Sequence, residues 1–261
     1  MPEKPSYEEY SIVSPEILKV EAVGIRVLGE SDPRTMTREQ FEQSPDLLFH
    51  GTPRAMRFSP KFDYRSQEYL TNNDGSTTLG FGFYAINKKA EASNYSVVRQ
   101  SRTDSQPIVI SILPHDARVL DLRRKDELAK NAPIPRELAT KWRDRFLRHL
   151  QTRTPREGNI GAIFDSLEQE YAQYLDKVLA LNEIDLRVLL GTAPSKQVKS
   201  INLRSPSWTL LFSDFMLEEG YDGLVFNEGG EGTQGRGGTS YVFYNLKKIG
   251  TYESWHEEEK I

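Results

Sequence analysis

Cysteine is absent from the 261 residues. That excludes disulfides, zinc–thiolate centres and a thiol nucleophile. Histidine is scarce: His50, His115, His149 and His256 stand apart, without the short spacings that gather metal ligands, so no metal site is expected. No apolar run approaches the roughly eighteen residues of a membrane-spanning helix, and no membrane partner is expected. The opening MPEKPSYEEY has neither the basic nor the apolar stretch of an export signal, which makes a cytoplasmic protein the simplest expectation. An excess of one charge is missing too. A net charge of only −4 gives no global basic field for gripping nucleic acid, although a local patch remains open.

What is present reads as one domain over 1–261 with no internal repeat. Residues 20–28 suit a strand, and TMTREQFEQS suits a short helix with Thr37 as its N-cap. DLLFHGT reads as a strand stopped by a glycine turn. GFGFYAI is a short aromatic strand, followed by helix formers in KKAEASNYSVVRQS. PIVISIL and ARVLDL are apolar and β-branched, with PHD as the turn between them.

Residues 123–200 differ in character. Leu138, Trp142, Phe146 and Leu150 recur every four residues, which predicts a helix with one apolar face. Phe164, Leu167, Tyr171, Tyr174 and Leu175 repeat the pattern, and EIDLRVLLGT suits a third, short helix. This stretch is expected to be a helical insertion between strands. A further helix over SPSWTLLFSDFMLEEG ends at Gly220, then GLVF, TSYVFYN and KIGTYE read as closing strands before a charged, frayed tail. The order implies an α+β fold with a split, mostly antiparallel sheet.

Three segments carry the candidate chemistry. LLFHGT ends a strand in His50, Gly51 and Thr52. LGFGFYAINKKAEASNY places Gly80, Gly82 and Tyr84 ahead of Ser93, Asn94 and Tyr95, with the two tyrosines eleven residues apart. GYDGLVFNEGGEGTQGRGGTSYVFYN is a strand, a glycine-rich loop holding Glu228 and Glu231, and a strand reading Ser240, Tyr241, Val242, Phe243, Tyr244. Singly, each has an ordinary structural explanation. In this order they resemble the NAD-binding core of the ADP-ribosyltransferase superfamily, nearest its diphtheria-toxin and poly(ADP-ribose) polymerase branch, the histidine–tyrosine–glutamate class. The resemblance covers 46 to about 122 and 205–252.

The resemblance implies NAD as substrate. His50 would bond the adenosine ribose, the Gly51 backbone would hold the nicotinamide carboxamide with Thr52 and Gly82 beside it, and Tyr84 and Tyr95 would sandwich the ring. A flat, electron-poor pyridinium suits two electron-rich aromatic faces. Breaking the bond from nicotinamide to ribose develops an oxocarbenium-like centre, which negative charge stabilises. The family places a glutamate there. Here that position is Ser240, which brings no charge, so the expectation is that Glu231 or, second, Glu228 supplies the carboxylate. The departure argues against long polymer synthesis.

The implied activity is transfer of one ADP-ribose from NAD to a macromolecule, protein or nucleic acid, with release of nicotinamide. Two rivals stay open: NAD glycohydrolysis, with water as acceptor, and a non-catalytic NAD- or ADP-ribose-binding module. The family includes bacterial and phage toxins and effectors, which would bring an antitoxin or immunity protein as partner. Lys141, Arg143, Arg145 and Arg148 beside Trp142 and Phe146 offer a nucleic-acid face, weighed against a solvated helix with its aromatics in the core.

Overall fold

The computed structural model describes residues 24–52, 79, 82–100, 108–124, 131–201, 206–227 and 238–257. The chain runs through β1 (Gly24–Leu28), a 3-10 turn (Pro33–Thr35), α1 (Arg38–Glu42), β2 (Leu48–Thr52), β3 (Phe83–Ile86), α2 (Lys89–Gln100), β4 (Ile108–Pro114) and β5 (Ala117–Asp121). Then come α3 (Arg136–Thr152), α4 (Gly158–Leu179), α5 (Leu186–Leu189), α6 (Pro206–Glu218), β6 (Gly223–Asn227), β7 (Thr239–Phe243), a second 3-10 turn (Leu246–Lys248), β8 (Ile249–Gly250) and α7 (Tyr252–Glu257).

The fold is mixed α+β. Its eight strands form one curled sheet in the order β1-β5-β6-β7-β3-β2-β4-β8. Six of the neighbouring pairs are antiparallel and β5 with β6 is parallel. The parallel pair has a simple origin. A parallel neighbour needs a long crossover, and everything from α3 to α6 lies between β5 and β6 in the chain.

Antiparallel partners share a face and successive residues alternate. Phe49 lies opposite Ile86, and Ile86 and Tyr84 lie opposite Ser240 and Val242. One face of the central strands therefore carries Phe49, Gly51, Tyr84, Ile86, Ser240 and Val242. The other carries Leu48, His50, Phe83, Ala85, Tyr241 and Phe243. Two apolar cores follow this division. Val242 and Tyr244 join the core that includes the helices of the insertion, with Tyr84 packed against it. Leu48, Phe83, Ala85, Tyr241 and Phe243 join a second core with Val119 and Ile112.

The helical expectations hold where hydrophobic spacing set them. On α3, Leu138, Trp142 and Phe146 are buried, and on α4 so are Tyr171, Tyr174 and Leu175. Trp142 Nε1 donates to the Tyr171 hydroxyl at 3.0 Å, which in turn donates to the Leu189 carbonyl at 2.8 Å. Those polar groups are buried and satisfied, as a packed interior demands. Thr37 caps α1 with a capping box completed by Gln40. Gly220, at φ 82°, ends α6, and Tyr221 N reaches back to the Met216 carbonyl at 2.9 Å.

One expectation is corrected. The strand expected over 248–253 stops at Gly250. Thr251 caps a new helix, its hydroxyl accepting from Ser254 N at 3.2 Å, and α7 buries Trp255 with Nε1 donating to the Leu113 carbonyl at 3.3 Å. His256 and Glu257 thus belong to a packed helix, and 258–261 lie outside the described residues. Three of the four cations in the row on α3 pair with acidic side chains. Lys141 pairs with Glu219 at 2.9 Å, Arg143 with Asp176 at 2.8 Å and Arg145 with Glu218 at 3.0 Å. These are the ion pairs of a solvated helix. Among the described residues no helix is long and apolar enough to cross a membrane.

Candidate active site

β2, β3 and β7 are neighbours in the sheet, in the order β7-β3-β2. This brings together three segments that the chain separates widely. Gly51, Tyr84 and Ser240 come to the same face of adjacent strands. Phe49 lies opposite Ile86, and by alternation Gly51 and Tyr84 fall on the face of that pair.

His50 behaves differently from a cleft residue sharing that face. Its ring turns to the opposite side and rests on Phe83, with ring centroids 4.4 Å apart. Its Nδ1 nonetheless reaches the Tyr84 carbonyl oxygen at 2.6 Å. A carbonyl only accepts, so Nδ1 bears a proton. The first and second motifs are thereby tied through backbone, not through two side chains on one wall.

Tyr84 is half-buried, and its hydroxyl accepts from Leu79 N at 3.2 Å. Leu79 is held from its other side by Tyr244, whose hydroxyl donates to the Leu79 carbonyl at 2.6 Å. Gly82, just before β3, is required by space. A Cβ there would lie 2.7 Å from the Phe243 carbonyl oxygen and 2.7 Å from Val242 Cγ1. Gly80 lies outside the described residues.

Ser240 is 3% exposed and sits between Ile86 on β3 and Phe226 on β6. Neither neighbour brings charge. Behind it on the other face, burial raises the Tyr241 pKa above that of an ordinary phenol, while Arg123 and Arg26 pull it down and Asp121 and Asp46 push it up. Arg123 is held by the Asp121 carboxylate, which raises the Arg123 pKa. Glu228 and Glu231 lie outside the described residues. The backbone of Thr52 closes β2, and Tyr95 lies on α2, which packs against β2 and β4.

The turn from β3 into α2 is fastened to the start of β7. Asn87 N donates to the Thr239 carbonyl at 3.1 Å, and Thr239 N donates to Asn87 Oδ1 at 3.1 Å. Asn87 and Tyr244 were missed as site residues by sequence reasoning. The signal for Asn87 was an amide side chain directly after a strand and ahead of a helix, where it bonds backbone well. For Tyr244 there was only its place at the end of the third motif.

Among the described residues no group of acidic or histidine side chains is arranged to hold a metal ion. No protein-family model matches this chain, and no curated protein or solved structure matches it.

Proposed function

We propose that this protein is an ADP-ribosyltransferase of the histidine–tyrosine–glutamate type, whose substrate is NAD and whose acceptor is a macromolecule. The observation that carries the reading is the setting of Tyr84. Its ring shares a face with Gly51 and Ser240 on three adjacent strands, and its carbonyl is held by His50.

In this reading Tyr84 offers one aromatic face to nicotinamide and Tyr95 the other. Gly51 lends backbone to the carboxamide, next to Thr52. The resemblance gives His50 to the adenosine ribose; here its ring lies on the face opposite Tyr84, and its part in this reading is to hold the Tyr84 carbonyl. The bond from the nicotinamide nitrogen to ribose C1′ breaks and its electron pair stays on the ring, which becomes neutral. A nucleophile of the acceptor forms the new bond at C1′ and loses a proton. Glu231, or else Glu228, brings the negative charge that stabilises the positive sugar.

A non-catalytic NAD-binding module is the second reading, favoured by the uncharged, buried Ser240 at the position where the family has glutamate. Incubation with NAD labelled in its adenylate part, alone and with cell extract, separates the readings. Label in protein or nucleic acid supports transfer. Free ADP-ribose alone supports glycohydrolysis, binding without turnover supports the module, and neither binding nor turnover removes NAD from the account.

A further inference from the structure

We infer that Tyr244 is a positioning residue for Tyr84, acting through the Leu79 peptide; the inference rests on NAD being the ligand. Four observations converge. Tyr244 is buried, with its ring edge-on to Phe212 at 6.4 Å. Its backbone is fixed as well: Tyr244 N donates to the Asp222 carbonyl at 2.8 Å, and the Asp222 carboxylate accepts from Arg118 N at 2.8 Å and Asn245 Nδ2 at 2.7 Å. From this post the hydroxyl donates to Leu79 O, and Leu79 N donates to the Tyr84 hydroxyl. Lastly, a Cβ on Gly82 would meet Tyr244 Cδ1 at 3.1 Å, so the chain entering β3 lies close against the Tyr244 ring.

The consequence is geometric. A tyrosine side chain swings about its Cα–Cβ bond, and stacking depends on where the ring lies. Fixing the backbone of Tyr84 by β3 pairing leaves that swing open. Holding the hydroxyl, at the far end of the ring, closes it. Leu79 N supplies the second anchor, and Leu79 stays in place because Tyr244 holds its carbonyl. Tyr244 itself packs into the helical core, so its part is support of the ring that meets the nicotinamide.

The test is calorimetric titration of NAD into the full chain as wild type, Tyr244→Phe, Tyr84→Phe and the double variant, each confirmed folded by circular dichroism at the working temperature. Each single variant removes one hydroxyl and keeps the ring. The expected loss of NAD affinity is about fivefold for each single variant, the size of one net hydrogen bond. The double variant is expected to lose no more than either single one, because all three break the same relay. A structural role alone lowers the melting temperature of Tyr244→Phe with NAD affinity unchanged, and that result overturns the inference. So do losses that multiply in the double variant. If Tyr244→Phe does not fold, unchanged affinity in Tyr84→Phe overturns it and a fivefold loss supports it. Wild type that fails to bind NAD overturns the functional reading and this inference with it; wild type that binds while Tyr244→Phe is indifferent overturns the inference alone.

Discussion

The Nδ1 atom of His50 lies 2.6 Å from the carbonyl oxygen of Tyr84, a bond that joins residues 34 positions apart. It fixes the direction of the ring. A group held in this way orients the backbone it holds. Bond breaking in NAD requires no proton from the donor, so no general base is asked of it. His50→Ala is expected to lower NAD affinity about fivefold, the size of one net hydrogen bond, by releasing the Tyr84 backbone. No limb of the pH–rate profile should vanish with it. A limb that disappears in the variant would show His50 acting as a base.

Gly82 is demanded by close approach. Because the obstructing atoms include the Phe243 backbone, a neighbouring side chain cannot simply swing away. Gly82→Ala should destabilise the protein by about 1–3 kcal/mol through overpacking, measured by chemical denaturation. It should weaken NAD binding as well, since the same stretch leads into Tyr84. Wild-type stability in the variant would mean that β3 has room the geometry denies.

Some of this was legible in sequence and some was not, for physical reasons. Thr37 followed three residues later by Gln40 spells a capping box, a purely local device, and it forms. The four-residue spacing of Leu138, Trp142 and Phe146 is likewise local, and those residues are buried together. His50 at a strand end was readable, but the side to which its ring turns depends on pairing with β3, which lies more than thirty residues on. The Tyr244–Leu79 bond spans 165 positions and leaves no periodic trace. The parallel pairing of β5 and β6 is equally non-local, since the whole insertion intervenes. α7 escaped because Trp255 is its one large buried residue in a charged run, too little for a helical period.

The insertion core should be energetically central. Trp142 is 0% exposed and meets Phe212 edge-on at 5.2 Å while its nitrogen serves Tyr171. Trp142→Ala is expected to cost about 3–5 kcal/mol, from lost transfer energy and the cavity left behind. Ile160, on α4 and 72% exposed, is the control. Ile160→Ala should stay within about 0.5 kcal/mol. Similar losses at both sites would mean that the insertion is not packed as described.

Acid should loosen the α3–α4 junction. Burial lowers the His149 pKa below its ordinary 6.5; nearby Glu168 opposes the shift, while Arg153, Arg145 and Arg156 add to it. The folded state therefore prefers the neutral ring. Stability from this group is fully present above pH 6.5 and is lost as pH falls from there through the lower folded-state value. Denaturation midpoints followed downward from neutral pH should fall, and His149→Gln should remove that part of the slope. Equal slopes in both proteins would locate the acid sensitivity in other groups.

The carboxylate is the decisive question for catalysis. Ser240 lies opposite Ile86 and Phe226, so the face that carries Tyr84 has no negative charge at that point of β7. An active enzyme must bring charge to the developing sugar cation from elsewhere. Glu228 and Glu231 are the nearest acidic residues before β7 in sequence. Loss of one such stabilising group often costs about a hundredfold or more in rate. Glu231→Gln is expected to cut turnover by that order while NAD affinity changes little, because the interaction belongs to the transition state. Glu228→Gln is the matched comparison, expected to change acceptor preference more than nicotinamide release. Nicotinamide release measured without acceptor isolates the first step. If both single variants and the double variant release nicotinamide at the wild-type rate, neither glutamate stabilises the sugar cation.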